Sequence, residues 1–503
     1  MSDRWRFGLL LLALVSLMCV YHLRPVPSGH FNFRDQHLGA ALEYAKGKID
    51  LLRPVIVGFN ATNEPTPLEI PIWQAAAAIF FKTFGTWFGW ANIVSLLFFV
   101  WGLWPLFQLA RHYGDERGAW WTLIFYSAQP VVFYMAGRGG TDGSCEAFAI
   151  WFLFCADRLV RTGRWVWWGP SALFAVLSAT TKLPFFFCVG LAGFFLLLLH
   201  GRRSWVRWLQ LGSVGLCALV VMAIWTRYSN GCFGRAEMPF VDLTSSNQEM
   251  KGWYFGDWSY RLNPANWIKG GWRVLNTVLG SFALAALPLW ALCYSRQRIA
   301  QFWVAGAVLT TLVFTHLVLH HDHYYLMFTP AVALLCAQAA RGLEEVTGFN
   351  HWKRQGLVLG AAGAVLVAST IQGLIGMNLV LDVDPARQQC ANIIQQYTRP
   401  ADKLLIQGGG WGGTLLILSD RKGLSIWDTR FLDDTAALER IKALGFTKLV
   451  MISESKLHHA VVTTKPGRHQ LERDTYDRYL IGVARAWPVL FQNEEILIKD
   501  IPR

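Results

Sequence analysis

The chain has 503 residues, of which 53% are hydrophobic and 14% aromatic, while only 16% are charged. Soluble domains carry about 25% charged residues, so this composition excludes an ordinary soluble protein for most of the chain. The formal net charge of +13 is spread over the ends of apolar segments and is not gathered into one basic stripe. That distribution is typical of a membrane protein, and nucleic acid is not an expected partner.

The first apolar segment, 7–23, follows Arg4 and Arg6 and is long enough to cross a bilayer. Residues 21–25 lack the small side chains of a signal-peptide cleavage site, so we expect a retained signal anchor with a cytoplasmic N terminus. Further spans are predicted near 87–110, 117–136, 143–160, 165–180, 183–200, 206–226, 272–294, 299–319, 323–340 and 356–381. Residues 1–382 are therefore predicted to form an all-α membrane domain of about eleven spans.

Basic residues follow this alternation, because every basic cluster falls on the cytoplasmic side. The clusters are Arg111 with Arg117, Arg158 with Arg161 and Arg164, Arg202 with Arg203 and Arg207, Arg296 with Arg298, and Lys353 with Arg354. The same alternation places the loops 24–86, 137–142, 227–271 and 320–322, and the tail, outside. Segment 70–84 is apolar but short, and we expect it to lie in the outer interface. The alternative is a true span that sets the charges against the rule.

The tail, 383–503, has ordinary polarity and is predicted to be a small extracytoplasmic α/β domain. Helices are predicted at 386–397 and 433–444, and strands at 403–407, 447–452 and 494–499. The glycines of 408–413 match GxGxxG once, but no phosphate-binding Lys-Ser/Thr follows, so a plain turn is favoured. The nine cysteines show no metal-binding spacing and are expected to be buried apolar thiols.

Polar motifs from distant stretches of sequence collect on the outer side. They are Arg34–His37, Asn63–Glu69, Arg138–Asp142, Thr181–Pro184 and His320–Tyr325. Each alone has an ordinary explanation: a carboxylate caps a helix, a lysine reaches out of the membrane, and histidines edge an interface. Together they place carboxylates suited to a general base beside cations suited to a leaving phosphate. The pattern predicts group transfer from a phosphate-bearing lipid at the outer membrane surface.

At these motifs the sequence resembles the polyprenyl-phosphate-sugar-dependent glycosyltransferases of the GT-C fold. This family includes the protein O-mannosyltransferases and the aminoarabinose transferases that act on lipid A. The motifs that carry the resemblance are Asp35-Gln36, Glu64–Trp73 with Phe81–Gly85, Arg138 with Asp142, Thr181–Pro184, His323–Ala331 and Ser419–Gly423. Gln36 stands where the family has an acid, and Leu183 where it has a glycine, so the subfamily and the acceptor stay open.

The resemblance implies that Asp35 and Asp142 are the catalytic carboxylates, with Asp35 as general base or acceptor-orienting group. The implied donor-phosphate ligands are Arg138, Lys182, His321, His323 and Tyr324. Glu64 is implied to bind the acceptor or a divalent cation, although no metal or cofactor requirement follows from the sequence. The expected reaction moves a sugar, with inversion, from a polyprenyl-phosphate donor to a glycolipid, polysaccharide or protein. The expected location is the outer face of a bacterial inner membrane, with the aromatic loop 227–271 covering the site.

Two other classes of function compete with this prediction. A transporter or flippase for a lipid-linked or anionic substrate also needs charged residues within the membrane. It predicts charges near the midplane and inverted repeats, whereas here the charges lie at span ends and no repeat is visible. A non-catalytic scaffold whose tail binds a partner is the third reading. Sugar, acceptor, oligomeric state and the role of the tail are not determined by the sequence.

Overall fold

The computed structural model describes residues 3–23, 32–58, 64–235, 244–294, 298–346, 367–372, 385–407, 413–426, 435–452, 487–492 and 496–501. The chain forms two compact units, which are described separately. The first comprises residues 1–24, 91–227 and 245–379, and the second residues 25–90, 228–244 and 380–503. The predicted domain boundary at residues 382–383 falls outside the described residues and stays a prediction.

Helices make up most of the described chain. In order they are α1 (Asp3–His22), α2 (Asn32–Lys46), α3 (Ile72–Phe84), α4 (Gly89–Tyr113), α5 (Glu116–Ala128), α6 (Pro130–Ala136), α7 (Thr141–Thr162), α8 (Trp168–Thr181), α9 (Leu183–His200), α10 (Trp205–Arg235), α11 (Gln248–Phe255), α12 (Trp258–Leu262), α13 (Pro264–Arg273), α14 (Phe282–Tyr294), α15 (Arg298–Val313), α16 (Thr315–His320), α17 (Thr329–Val346), α18 (367–372), α19 (Pro385–Tyr397), α20 (Thr414–Leu418) and α21 (Thr435–Ala443). Helices α2, α3 and α19–α21 belong to the second unit, and the others lie wholly or mainly in the first.

Helices occupy the predicted span positions from 7–23 to 323–340, whereas 356–381 lies largely outside the described residues. Among the described helices, those long and apolar enough to cross a bilayer are Trp5–His22, Gly89–Tyr113, Leu183–His200, Trp205–Phe233 and Asp322–Glu344. Pro264–Leu279 with Leu284–Cys293 makes a sixth span if that bent pair counts as one. The chain is therefore an integral membrane protein, while the count of about eleven spans and their orientation stay predictions.

Several predicted spans are interrupted, and two of them show why the backbone cannot continue as an α-helix. Segment 117–136 divides at Gln129, which has extended dihedral angles (φ −66°, ψ 131°). Pro130 lacks an N–H and disfavours helical backbone in the residue before it. Segment 272–294 passes through a π-helical turn, Val274–Leu279, and then through Gly280 at φ +73°. Each of these two predicted spans therefore consists of more than one helical segment, and its crossing of the membrane stays a prediction.

The first unit is held together by close helix packing and by buried ion pairs. A Cβ at Gly306 of α15 would lie 2.3 Å from the carbonyl oxygen of Cys188 in α9, so only glycine allows this approach. On α7, the carboxylate of Asp157 is 1% exposed and accepts hydrogen bonds from Arg161 at 2.6 Å and from Tyr113 at 2.5 Å. A buried carboxylate needs such partners. Arg161 lies on α7 itself, and the bond from Tyr113 connects α4 to α7.

A mixed sheet forms the core of the second unit. Its strands are β1 (Lys403–Gln407), β2 (Lys422–Ile426), β3 (Lys448–Ile452), β4 (Val489–Gln492) and β5 (Ile496–Asp500), in the spatial order β2-β1-β3-β5-β4. Strands β2, β1 and β3 are parallel, and β5 is antiparallel to β3 and β4. Apolar clusters cover both faces, as the nearly continuous apolar strands require.

The sequence prediction of a small α/β tail is confirmed for its described part. It missed α20, β2 and β4. Strand β2 contains Gly423, which weakens the local strand signal, while α20 and β4 are only five and four residues long. Gly423 of β2 must be glycine, since a Cβ there would lie 2.0 Å from the carbonyl oxygen of Leu404. Residues 408–412 of the predicted glycine turn lie outside the described residues.

The segments predicted to lie outside differ from prediction in two respects. The sequence of Ala40–Leu52 predicts an amphipathic helix over that range, whereas helix α2 is Asn32–Lys46. Segment 227–271 was predicted as a loop but contains the end of α10 and helices α11–α13, because Asp257 caps α12 and Asn263 caps α13. Helix α3 has 13 residues, which corresponds to about 20 Å and is shorter than a hydrocarbon core of about 30 Å.

Candidate functional site

The centre of the candidate site is an ion pair in the first unit. Lys182 lies at the corner between α8 and α9, where its extended backbone and the following Leu183-Pro184 stop one helix and start the next. Asp142 lies in the first turn of α7. The ammonium of Lys182 donates to the carboxylate of Asp142, and the side chains are only 15% and 9% exposed. Two predicted site residues, 40 positions apart in sequence, therefore meet.

Three further predicted residues adjoin this pair. His321 follows α16, and His323 and Tyr324 lie on the 3₁₀ helix Asp322–Phe328. The ammonium of Lys182 lies 5.3 Å from the ring centroid of Tyr324, a cation–π contact. The His323 ring lies 4.4 Å from that of Tyr324, and the His321 ring lies 5.1 Å from that of His323. A cation, a carboxylate, two imidazoles and a phenol thus share one site.

Two histidines of this segment, His320 and His321, have lowered pKa values that favour the neutral imidazole. Burial lowers the pKa of His321 to about 3, and the nearby His320 and Lys182 lower it further. Burial likewise lowers the pKa of His320 to about 4, with contributions from His316 and Arg273. A neutral imidazole donates one N–H and accepts at its other nitrogen. His321 can therefore bind an oxygen anion without a permanent charge of its own.

Arg273 and Asp322 form a second ion pair that the sequence reasoning missed. The guanidinium Nε of Arg273 lies 3.3 Å from the carboxylate of Asp322. The same guanidinium donates from Nη1 to the carbonyl oxygens of Leu319 and His320, at 2.7 Å each. The signal was available, because Arg273 is a charge at the edge of an apolar segment and Asp322 stands inside the histidine motif. This pair fixes the backbone that carries His321.

Arg138 lies in the short loop before α7, four residues ahead of Asp142. It is 8% exposed, and its guanidinium lies 4.8 Å from the ring centroid of Tyr134. Asn92 holds the loop: it accepts from the N–H of Gly139 at 2.8 Å and donates to the carbonyl oxygen of His22 at 2.7 Å. Asn92 was also missed, since a single asparagine near the start of a span has no distinctive sequence signal.

The remaining predicted residues, Asp35 and Glu64, belong to the second unit. Asp35 lies in the first turn of α2, and its side chain is outside the described part of the chain. Glu64 is half-buried in the loop before α3. The same unit contains a buried contact that the sequence did not predict, in which His37 Nδ1 lies 2.6 Å from the carboxylate of Glu69. The amide of Gln74 donates to the same carboxylate at 2.8 Å, so this contact joins α2 to α3.

Metal binding is not decided by this geometry. No three His, Cys, Asp or Glu side chains form a metal-binding group among the described residues, and the side chain of Asp35 lies outside that set. The cation predicted at Glu64 stays a prediction. In the first unit, Lys182 contacts Asp142 in the first turn of α7, and Arg138 lies four residues before Asp142. Cations and a helix N terminus are groups that suit an anion.

The known proteins that this chain resembles include glycosyltransferases. Residues 65–226, less than half of the chain, match a family model described as dolichyl-phosphate-mannose-protein mannosyltransferase. A search of curated protein sequences gives no significant match.

Solved structures are similar over much more of the chain. The crystal structure of ArnT from Cupriavidus metallidurans in the apo state is 14% identical, with a TM-score of 0.65 and coverage of 100% of this chain and 99% of that one. The same protein bound to undecaprenyl phosphate is 15% identical, with a TM-score of 0.66 and the same coverage. An Archaeoglobus fulgidus oligosaccharyltransferase in complex with Zn and sulfate is 13% identical, with a TM-score of 0.52 over 89% of this chain and 68% of that one.

The chain thus has the fold of the GT-C glycosyltransferases, and the resemblance stated from its motifs is confirmed. The family match over residues 65–226 agrees with this fold.

Proposed function

We propose that this protein transfers a sugar from a polyprenyl-phosphate donor to an acceptor on the outer face of a bacterial inner membrane. The observation that carries the proposal is the buried pair of Lys182 and Asp142, surrounded by His321, His323 and Tyr324. Support comes from the similar fold of ArnT, which has been crystallised with undecaprenyl phosphate. The acceptor is a glycolipid, a polysaccharide or a protein.

In this mechanism the ammonium of Lys182 contacts both the donor phosphate and the carboxylate of Asp142. As the bond between the sugar C1 and the phosphate oxygen breaks, negative charge grows on the leaving phosphate. Lys182 and Arg138 stabilise that charge, and the positive end of the α7 dipole adds to the effect. Tyr324 and the neutral His321 supply further hydrogen-bond donors. These groups are fixed before the reaction, so little reorganisation is needed when the charge develops.

The nucleophile in the proposed reaction is an acceptor hydroxyl. Asp35 acts as the general base and takes its proton as the acceptor oxygen bonds to C1 from the face opposite the phosphate. The anomeric centre is therefore inverted in a single step. The products are the glycosylated acceptor and the polyprenyl phosphate. Glu64 binds the acceptor or a divalent cation.

An apolar groove in the first unit suits the lipid chain of the donor. It has a volume of about 370 Å³ and is lined by Phe187, Leu191, Phe255, Arg261, Leu309, Leu312 and Val313. Phe187 lies on α9, five residues after Lys182, which is about 7.5 Å along a helix. An isoprenoid chain that starts at a phosphate bound by Lys182 can follow α9 into this groove, because apolar walls and a short polar end are what a lipid phosphate requires.

The decisive test is Asp35→Asn, an isosteric change that removes the base. Purified protein would be given a radiolabelled polyprenyl-phosphate sugar with an envelope extract of the source cells as acceptor. We expect turnover to fall by about a hundredfold or more, with insertion and thermal stability unchanged. Asp257→Asn is the matched control, since asparagine caps α12 as well as aspartate does. Wild-type turnover by Asp35→Asn discards the assignment. Movement of intact donor between leaflets without sugar transfer favours the transporter alternative.

A further inference from the structure

The sheet of the second unit continues past its own strands at the free side of β2. The N–H of Ser425 donates to the carbonyl oxygen of Gly58 at 2.9 Å, and Gly58 forms a parallel bridge with Leu424. Residues 53–58 come from the first outer loop, far from the tail in sequence. The loop and the tail therefore share one hydrogen-bonded backbone ladder inside the second unit.

Two glycines allow these backbones to come so close. Gly58 adopts φ +95°, and a Cβ there would lie 3.0 Å from the Cα of Gly413. A Cβ on Gly413, at the start of α20, would lie 2.7 Å from the carbonyl oxygen of Val57. The side chain of Val57 packs against the tail core cluster that contains Leu415 and Leu416. The contact is thus closely fitted in backbone and side chain alike.

Helix α2 rests on the same contact. A Cβ at Gly39 would lie 3.3 Å from Val57 Cβ and 3.6 Å from Ile417 Cδ1, so α2 touches both the loop and α20. One residue further along α2, the buried Ala40 clusters with the buried Ile56 of the loop. The middle of α2 is therefore seated on the β2–α20 edge of the tail.

At the C-terminal end of α2, charged side chains also contact the tail. Lys46 Nζ lies 2.7 Å from the carboxylate of Asp420, and Glu43 lies 3.6 Å from Lys422 Nζ. Exposed ion pairs contribute little to stability. The two ion pairs nevertheless favour one position of α2 along the turn between α20 and β2. In that position a basic and an acidic residue of the helix each face a residue of opposite charge.

From this geometry we propose that the β2–α20 edge of the tail is a positioning surface for α2, and through α2 for Asp35. Asp35 precedes Gly39 by one helical turn, so a displacement of α2 at Gly39 moves Asp35 as well. A misplacement of about 1 Å at a reacting group costs on the order of a hundredfold in rate. The role rests on the proposed function, since it takes Asp35 as the base. Ser425 and Gly413 are positioning residues in this scheme.

Ser425→Pro tests the proposal by removing one N–H. That N–H donates to Gly58 and not to β1, so proline at this sheet edge removes the contact with the loop while the β1–β2 ladder is kept. Ser425→Ala is the matched control, because it removes the hydroxyl and keeps the N–H. Gly413→Ala is a second variant that retains every hydrogen bond and instead forces a Cβ against Val57. All three would be studied as full-length protein in lipid nanodiscs.

Two readouts separate positioning from catalysis. Hydrogen exchange of the amides of residues 36–46 reports how firmly α2 is seated. Release of polyprenyl phosphate from a labelled polyprenyl-phosphate sugar, with envelope extract as acceptor, gives kcat and the donor KM. For Ser425→Pro we expect about tenfold faster exchange in α2, the loss expected from one hydrogen bond. For Gly413→Ala we expect faster exchange as well, because the added Cβ would lie 2.7 Å from the carbonyl oxygen of Val57 and displace the loop. We expect a fall in kcat for both variants with an unchanged donor KM, and wild-type behaviour for Ser425→Ala.

Each outcome decides something. Unchanged exchange of α2 in both variants, with the exchange of β1 and β3 also unchanged, overturns the positioning role. Faster exchange in α2 without loss of kcat shows that the tail seats α2 but overturns the positioning of Asp35 by that contact, while the retained turnover supports the proposed sugar transfer. Equal effects of Ser425→Ala and Ser425→Pro would trace the loss to the hydroxyl and overturn the backbone ladder as its cause.

Discussion

The buried pair of Lys182 and Asp142 yields the most informative prediction, because removing its members singly and together separates stability from catalysis. The two side chains are 15% and 9% exposed, so either charge left alone lies largely out of water. Breaking a buried ion pair by removing one partner costs about 3–5 kcal/mol, and the slight exposure here points to about 3 kcal/mol. The double variant Asp142→Asn with Lys182→Met carries no net change in charge. We expect it to be about 2 kcal/mol more stable than either single variant.

The same three variants should behave differently in catalysis. Asp142→Asn frees the ammonium of Lys182, so the donor should bind more tightly and KM should fall while kcat drops. Lys182→Met removes the cation that meets the leaving phosphate, so kcat/KM should fall by about a hundredfold or more. The double variant should be stable and nearly inactive.

The assay pairs the apparent thermal midpoint of detergent-solubilised protein with donor turnover and KM. A loss of about 3 kcal/mol lowers the midpoint by several degrees, and roughly 5 °C is expected for a chain of this size. The double variant should lie between the single variants and the wild type. If its midpoint falls by the sum of the two single losses, the charges are not coupled and the reasoning fails. If Asp142→Asn raises the donor KM, Lys182 does not bind the phosphate.

Two further predictions concern other parts of the chain. Arg421 is buried and donates to the hydroxyl and carbonyl oxygens of Thr398 at 2.9 and 2.8 Å. Lysine lacks the planar guanidinium, so Arg421→Lys should destabilise the tail by about 2 kcal/mol. Limited proteolysis should then cut the tail faster, and an unchanged rate of cleavage would contradict this prediction. The pKa values of His320 and His321 are lowered from 6.5 to about 4 and about 3, so below pH 6.5 the unfolded state binds more protons. Stability should be complete above that pH and lost as the pH falls towards 4 and 3, and a thermal midpoint that falls equally for wild type and His321→Gln would refute this.

Much of the first unit could be predicted because the membrane imposes strong local rules. Apolar length gives the positions of the helices, and the ends of helices mark where polar residues are tolerated. The pairing of Lys182 with Asp142 was anticipated only as a convergence on one side, since no periodicity links residues in different helices. The ion pair of Arg273 with Asp322 was within reach of the same argument, because both residues flank apolar segments on the predicted outer side.

The second unit was harder to predict, and the reason is physical. The bridge between Gly58 and Leu424 joins a loop to an edge strand far away in the chain, and such pairing leaves no trace in local composition. Strand β2 contains Gly423, which weakens the strand signal although the close approach to Leu404 requires it. The tail therefore shares one compact unit with residues 25–90, which its own composition does not indicate.

Breaks in helical backbone mark the candidate site more sharply than its charges do. Lys182 lies between α8 and α9, Asp142 starts α7, and His321 to Tyr324 span the 3₁₀ turn between α16 and α17. Within a bilayer, irregular backbone is tolerated only where protein or a polar cavity satisfies the freed N–H and C=O groups. At this site the breaks coincide with buried charge, so the polar groups that they free lie beside Lys182 and Asp142. The lipid phosphate proposed as donor would be a polar partner for both kinds of group.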